Sequence, residues 1–389
     1  MELKTLPLSQ VKRGTRILMR VDCNVPIKSR QVDVESDWRL EQTLEDINAY
    51  LQKGAIVILM GHLGRPRGLT KLSLSLRPVA RWYEIKLGKK VLFIKDVVSK
   101  KSVQKVAGLE PGSVVMLENL RFYPNETFNC IWFSKRLARF ADIYVNDAFG
   151  VSHRRHASVK NVTRFLPSYA GSILVNETKE LSKKRVSPFV FVLGGIKLKT
   201  KMPTLLMLGR EADEILLGGG VAVAVVSALM NKVFQINGKN ISRRELSLAR
   251  QAIKKFKTKL VSPIDFICSR NGKLQTVLTL NLEKEDEILD IGPSSIKLYS
   301  ASLKRAKSVV FNGAMGSLDS GAMSGTEAIA KALSISVSQQ AIVGGGDTVG
   351  FLQKKKLLKH FKFVSTGGGA MLAFLAGKKL PGLKVLKKK

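Results

Sequence analysis

The sequence predicts an α/β protein of two doubly wound parallel-sheet domains, separated by a cleft and joined by a hinge helix. Three observations predict it. At 389 residues the chain is longer than one ordinary core accommodates and fits two domains. Strand-like apolar runs alternate with amphipathic stretches almost from end to end, the pattern of parallel sheets with both faces covered. The runs end repeatedly in glycine-rich or polar junctions, and open α/β sheets bind ligands at the carboxyl ends of their strands.

The first series of candidate strands spans residues 17–21, 55–60, 91–94, 114–117 and 143–145. Between the first two, apolar residues at 40, 44, 47 and 51 predict a helix over 38–51. Leu166-Pro167-Ser168-Tyr169-Ala170-Gly171 interrupts the alternation, a helix is predicted from there to about Lys184, and Ser187-Pro188 ends it. That helix is the expected stiff link between domains. A second series follows at 189–193, 214–217, 266–268, 288–291, 309–311, 341–343 and 361–364.

The junctions come next. Asp22 and Asn24 follow the first strand, Gly61-His62-Leu63-Gly64-Arg65-Pro66 the second, and Glu118-Asn119-Leu120-Arg121-Phe122 and Asn146-Asp147-Ala148-Phe149-Gly150 later ones. In the second half the junctions are Gly194-Gly195, Gly218-Gly219-Gly220, Gly292-Pro293, Asn312-Gly313, Gly344-Gly345-Gly346-Asp347-Thr348 and Thr366-Gly367-Gly368-Gly369. One such loop, taken alone, is as well explained as a tight turn. Ten of them at strand ends form a pattern.

Composition narrows the class. Hydrophobic residues make up 45% of the chain and aromatics 7%, as in a globular protein. Cys23, Cys130 and Cys268 are scattered and form no CxxC pair, which argues against a disulfide framework or a cysteine zinc site and suits a reducing cytoplasm. The N-terminus lacks a signal-peptide core. The longest greasy stretch, 215–230, is broken by three glycines and falls short of the roughly 20 residues of a membrane span.

The charge is the unusual quantity: 65 basic against 30 acidic residues, +35 overall, with no acid after Asp347 and eleven lysines over 351–389. A nucleic-acid or anionic-membrane partner is one reading. The other is an enzyme of anionic substrates with a generally basic surface, favoured because the charge is spread thinly and lacks interleaved aromatics for base stacking.

The chemistry divides between the halves. Arg39, His62, Arg65, Arg121 and His153-Arg154-Arg155-His156, with Asp22 and Asn24 as polar partners, suit a small polyanion. The second half offers glycine loops, Lys197, Lys201, Asp319 and Asp347, the complement of a magnesium nucleotide. There is no GxxxxGK[ST] and no GxGxxG after a strand, so P-loop and dinucleotide readings lose their support. The expected reaction is phosphoryl transfer, and the lack of an evident general base suits a carboxylate acceptor that is already ionised.

These motifs, in their order and over essentially the whole chain, resemble the phosphoglycerate kinase family. The match includes Arg20-Val21-Asp22-Cys23-Asn24-Val25-Pro26, Gly194-Gly195-Ile196-Lys197, Asp290-Ile291-Gly292-Pro293 and Asn312-Gly313-Ala314-Met315-Gly316. The resemblance implies transfer of the acyl phosphate of 1,3-bisphosphoglycerate to MgADP, giving 3-phosphoglycerate and ATP. It places Asp22, Asn24, Arg39, His62, Leu63, Gly64, Arg65, Arg121 and Arg154 on phosphoglycerate. Lys197, Lys201, Gly218, Asn312, Asp319 and Gly345-Gly346-Asp347-Thr348 fall on the nucleotide, with Asp347 acting through Mg2+. Arg39, Lys197, Lys201, Gly367 and Gly368 are implied to meet the transferring group.

It further implies a phosphoglycerate domain of residues 1–170 with a returning tail at about 376–389, and a nucleotide domain of 171–375 including the linking helix. A cytoplasmic monomer with no membrane or specific nucleic-acid partner is expected. The sequence departs from the family pattern at Phe311 (usually Trp), Ala314 (usually Pro), Asp319 (usually Glu), and Ala373 and Ala376 (usually Glu). The alternative expectation is a nucleic-acid or anionic-surface binder on a degenerate kinase scaffold.

Overall fold

The computed structural model describes residues 2–196, 198–317, 321–334 and 340–388. The chain divides into two compact units, Met1–Glu180 with Lys379–Lys389, and Leu181–Lys378. The expected boundaries were 170 and about 375, so the division falls within the helix Ser172–Ser182.

In the first unit six parallel strands stand in the spatial order Val91–Ile94, Val114–Leu117, Ile56–Met60, Arg16–Arg20, Ile143–Asn146, Ser168–Ala170. Successive residues of a strand point to opposite faces, so one sequence feeds two cores. Ile17, Met19, Val57 and Leu59 enter the cluster on one side. Leu18, Ile56, Ile58 and Met60 enter the cluster on the other. Such strands are apolar throughout, which made them visible in the sequence.

Two local readings are corrected. The stretch taken as a break contains the strand Ser168–Ala170, paired in parallel with Ile143–Asn146. The helix expected over 38–51 is two, Trp38–Glu41 and Leu44–Gln52. At the join, the N–H and the hydroxyl of Thr43 both donate to the Leu40 carbonyl, at 3.0 and 2.6 Å. This side-chain bond competes with the helical ladder.

The second unit holds another all-parallel sheet, in the order Leu260–Val261, Glu214–Leu217, Phe189–Leu193, Ser308–Asn312, Gln340–Gly344, Phe363–Ser365. The runs at 266–268 and 288–291, expected in parallel sheet, lie instead in a separate five-stranded sheet. There Asp265–Arg270 pairs antiparallel with both Lys273–Leu278 and Glu287–Ile291. The turn Asn271-Gly272, both with φ positive, at 51° and 75°, sets the first of these pairings, a hairpin signal that the apolar periodicity does not register. Lys273–Leu278 is an edge strand with Leu274 and Leu278 exposed.

One expected ligand junction is also occupied from within. The helix Pro293–Arg305 opens after Gly292, but Asp265 already accepts from the N–H groups of Ser294 and Ser295 at 2.9 and 2.7 Å. The Gly292-Pro293 junction is thus an internal cap.

Helix Ser172–Ser182 opens on two carboxylates: Asp46 accepts from the Ser172 N–H and Asp147 from the Ile173 N–H, each at 2.8 Å. Asp147 is buried, and burial together with Asp46 pushes its carboxyl well above the usual range. A carboxyl that holds its proton more tightly when folded stabilises the fold most below its unfolded value, about pH 4. That contribution is lost as pH rises toward the folded value. Asp147→Asn keeps an acceptor oxygen and removes the charge. Denaturant titrations should therefore show the stability of Asp147→Asn relative to the parent rising by about 1 kcal/mol or more between roughly pH 4 and pH 8. A difference independent of pH would refute this.

Candidate active site

In the first unit the site starts from a buried cation. Arg20 ends the strand Arg16–Arg20 and is fully enclosed. Its Nε donates to Ser158 Oγ at 3.1 Å and its Nη2 reaches His62 Nδ1 at 3.1 Å. Ser158 Oγ donates in turn to Glu126 Oε1 at 2.6 Å, and the Ser158 N–H to Oε2 at 2.9 Å. Glu126 thereby supplies the counter-charge without which a buried guanidinium is costly.

A guanidinium only donates, so His62 Nδ1 accepts and the ring proton sits on Nε2. Burial, reinforced by Arg20 and Arg121, holds the imidazole well below its usual pKa. His62 is neutral, with one N–H to offer. His153 and His156 are also pushed down by burial and neighbouring arginines, to about 4 and about 3.

The loop after Ile56–Met60 is held from three sides. Asn119 Nδ2 donates to the Leu63 carbonyl at 2.8 Å, Arg121 Nη1 to the Gly64 carbonyl at 2.8 Å, and the Gly64 N–H to Asn24 Oδ1 at 2.9 Å. Arg39 Nη1 donates to the Asn24 carbonyl at 3.0 Å, and Asp22 Oδ1 accepts from the Asn24 N–H at 3.1 Å. So the structure joins Asp22, Asn24, Arg39, Leu63, Gly64 and Arg121 into one hydrogen-bonded surround, with His62 held in the same loop by Arg20. Arg65 stands exposed in the same loop, and Arg154 is exposed nearby, its charge felt by Arg121 and His153.

This surround is short of acceptors. Arg39 Nε and Arg121 Nε are both buried with no hydrogen-bond partner, and burial with Arg20 pushes Arg121 down to about 10. Buried unsatisfied donors are costly unless a ligand meets them. Arg20, Glu126 and Ser158 were missed as site residues from sequence. The available signal was a charge at the end of an apolar strand.

The second unit builds with backbone instead. Helices Gly219–Met230, Gly346–Lys354 and Gly368–Leu375 follow directly on the parallel strands Glu214–Leu217, Gln340–Gly344 and Phe363–Ser365. Their N-caps are Gly218, Gly345 and Gly367, and none has a side-chain cap. N–H groups at the positive ends of helix dipoles suit anionic oxygens, although in the first of these helices Gly219 and Val221 already donate to the Met315 and Gly195 carbonyls, at 2.6 and 3.3 Å.

The glycines also let these loops approach one another. A Cβ on Gly368 would lie 2.9 Å from Gly345 Cα, and one on Gly313 would lie 2.2 Å from the Gly194 carbonyl oxygen. Lys201 Nζ donates to Asn312 Oδ1, and Asn312 Nδ2 donates to the Gly344 carbonyl at 2.9 Å. Burial pushes the Lys201 ammonium down to about 8, against the opposing pull of Asp347. Asp347 is exposed in the first turn of its helix, and Thr348 beside it is buried. Lys197 and Asp319 lie outside the described residues. Among the described residues no cluster of three or more His, Cys, Asp or Glu could hold a metal ion.

Side chains awaiting a small anion in one unit, and backbone donors awaiting phosphates in the other, define a phosphotransferase of the two-substrate kinase type. The comparisons specify which. A family model described as phosphoglycerate kinase matches residues 8–378. The phosphoglycerate kinase of Moorella thermoacetica is 38% identical over 398 residues, covering 100% of this chain and 99% of that one. That of Geotalea uraniireducens is 39% identical over 384 residues, covering 96% of each. Solved phosphoglycerate kinases from Coxiella burnetii and Pyrococcus horikoshii superpose with TM-scores of 0.79 and 0.86, at 33% and 28% identity, each covering 98% of both chains. The chain belongs to the phosphoglycerate kinase family and is a phosphotransferase with a carboxyl group as acceptor. Its substrates are 3-phosphoglycerate and 1,3-bisphosphoglycerate with ADP and ATP. The alternative of a binding protein on a degenerate scaffold finds no support in these comparisons.

The His62 assignment is directly testable. Nitrogen-15 spectra should show a neutral ring protonated at Nε2 and unchanged from about pH 5 to pH 8, where an ordinary imidazole titrates. Titration of His62 near pH 6.5 would refute it.

Proposed function

We propose that the first unit binds phosphoglycerate and the second binds the magnesium nucleotide. The observation that carries this is the pair of buried, unpartnered guanidinium donors at Arg39 and Arg121. Phosphate and carboxylate oxygens satisfy such donors in a way that no neighbouring protein group does. In this reading the neutral His62 donates Nε2–H to the substrate, and Arg65 and Arg154 close over it from their exposed positions. Asp22 and Asn24 set the Arg39 and Gly64 geometry through the hydrogen bonds described above.

On the nucleotide side the N–H groups of Gly220, Gly345-Gly346 and Gly368, with the Thr348 hydroxyl, receive phosphate oxygens, while those of Gly219 and Val221 already donate to the Met315 and Gly195 carbonyls and that of Gly367 to Ser365 Oγ. Asn312 fixes Lys201 against the glycine loop. Lys197 and Asp319 are proposed as further phosphate and ribose contacts. A single exposed carboxylate at Asp347 fits a magnesium ion that keeps waters and takes its remaining ligands from phosphates. Bound there, Mg2+ would neutralise phosphate charge. During transfer, Arg39, Lys201 and the Gly367-Gly368 backbone would hold the charge of the moving group, while the acceptor carboxylate needs no base.

We further infer a cytoplasmic monomer whose positive charge serves no specific nucleic acid. Among the described residues no helix is long and apolar enough to cross a membrane.

Two measurements test these roles. In a coupled assay with 3-phosphoglycerate and MgATP, Arg39→Ala should lower kcat by two to three orders of magnitude, roughly the effect of losing one transition-state donor. Its thermal midpoint should stay near that of the parent, and unimpaired turnover would remove Arg39 from the site. For Lys201, the charged form dominates below about pH 8, so kcat/KM for MgATP should fall as pH rises through that value. Arg stays charged throughout; Lys201→Arg should be slower yet show no such fall, and the same alkaline limb in that variant would assign it elsewhere.

A further inference from the structure

The first unit carries large apolar side chains that the fold leaves uncovered. Leu69 and Leu72 stand on the stretch that follows Arg65, and Phe128, Ile131 and Trp132 lie around the start of the helix Ile131–Ala138. Leu72 is 86% exposed and Phe128 80%, and the other three are exposed as well. The two segments meet at Pro124. The Gly68 N–H donates to the Arg121 carbonyl at 3.2 Å, and a Cβ on Gly68 would lie 2.7 Å from Pro124 Cγ. The Phe128 N–H donates to the Pro124 carbonyl at 3.1 Å, so Phe128 sits one turn from that contact.

The charge around these side chains has one sign. Segments 64–73 and 125–139 hold Arg65, Arg67, Lys71, Lys135, Arg136 and Arg139. Their one acid, Glu126, is buried and bonded to Ser158. Among the described residues none of the six bases forms an ion pair. Arg136 stacks on Trp132, 5.0 Å from the ring centroid, and donates to the Val98 carbonyl at 3.4 Å. The exposed acid beside that contact, Asp96, accepts from the Val98 N–H at 3.0 Å and has Lys95, Lys100 and Lys101 near it in sequence.

Exposed apolar patches mark docking surfaces, and the chemistry here separates the candidate occupants. A second copy of the chain would bring the same six cations against these six. A single-stranded nucleic acid stacks on aromatic rings, yet Leu69, Leu72 and Ile131 are aliphatic. An anionic bilayer suits the whole set. Leucine and isoleucine enter the acyl boundary, tryptophan settles at headgroup level, and the bases meet the headgroups.

We propose that this surface docks the protein reversibly on an anionic lipid bilayer, with Leu69, Leu72, Phe128, Ile131 and Trp132 entering the interface. The binding is peripheral and needs no spanning helix, and it departs from the expectation of no membrane partner. It brings Gly64 and Arg65 of the phosphoglycerate surround close to the headgroups, since they share the loop that leads to Leu69.

Binding is read by co-sedimentation of the intact chain with vesicles of phosphatidylcholine, pure or with about one third phosphatidylglycerol. Partition should be at least about tenfold stronger on the anionic vesicles and should weaken with salt. Lipids brominated on their acyl chains should quench tryptophan emission of the bound protein, and Trp132→Phe should still bind but lose that quenching. Leu72→Ser, Phe128→Ser and Lys135→Glu, all at exposed positions, should each weaken partition by about fivefold or more, with thermal midpoint and turnover unchanged. Equal partition on pure phosphatidylcholine, quenching that is absent or survives Trp132→Phe, or partition unaltered in all three variants overturns the proposal. Release by saturating 3-phosphoglycerate overturns it too, because the headgroup would then sit in the substrate surround. A single-stranded RNA whose affinity falls in Leu72→Ser as far as vesicle partition does would assign the surface to nucleic acid and likewise overturn it.

Discussion

The second unit of this enzyme depends on backbones meeting where no side chain fits. A Cβ on Gly194 would lie 2.1 Å from the Ala314 carbonyl oxygen, and one on Gly218 would lie 2.5 Å from Met315 Sδ. These are steric limits, far inside any real Cβ contact. They bring three helix N-termini to the carboxyl edge of one parallel sheet, two of them on the adjacent strands Gln340–Gly344 and Phe363–Ser365. Side chains enter this half sparingly, and Asn312 does the joining. One amide ties a lysine from one helix to the last carbonyl of a neighbouring strand, which fixes the lysine relative to the loop it works beside.

The first unit solves the converse problem. It must hold several cations together before any anion arrives, and like charges in a partly buried space repel. Part of the solution is neutralisation at depth, where Glu126 balances Arg20 through Ser158. Part is proton release, with His62, His153 and His156 kept neutral by the same burial and the same arginines. What remains is a few guanidinium groups whose free N–H bonds define where a ligand belongs. In the proposed reading, the stability given up in leaving them unmet is recovered when substrate oxygens meet them.

Much of this was legible in the sequence because buried parallel strands are apolar on both faces and end in glycines. The runs at 56–60, 189–193 and 309–311 are of that kind. The reading failed where the physics differs. The strands 265–270 and 287–291 hold apolar runs that read as buried parallel strands, and the Asn271-Gly272 turn marks only the hairpin of 265–270 with 273–278. The strand Ser168–Ala170 is short and flanked by Pro167 and Gly171, so it resembles a break. At the site, the residues named from sequence in the first unit share one hydrogen-bond network, apart from His62, which bonds Arg20, and the exposed Arg65 and Arg154. Arg20, Glu126 and Ser158 escaped notice because their work is to arrange other residues, a role set by long-range contacts that no spacing reveals.

The edge strand Lys273–Leu278 gives the chain's charge another meaning. A six-residue edge with Leu274 and Leu278 outward is the shape that pairs with another copy of itself, and native sheets usually blunt such edges with proline or bulges. Long-range repulsion opposes such pairing. A molecule of formal charge +35 repels its copies over a Debye length of about 8 Å at physiological salt, and that reach shrinks to about 3 Å near 1 M. The surplus of lysine, which first suggested a polyanionic partner, therefore also acts against edge-to-edge association, and salt weakens that action.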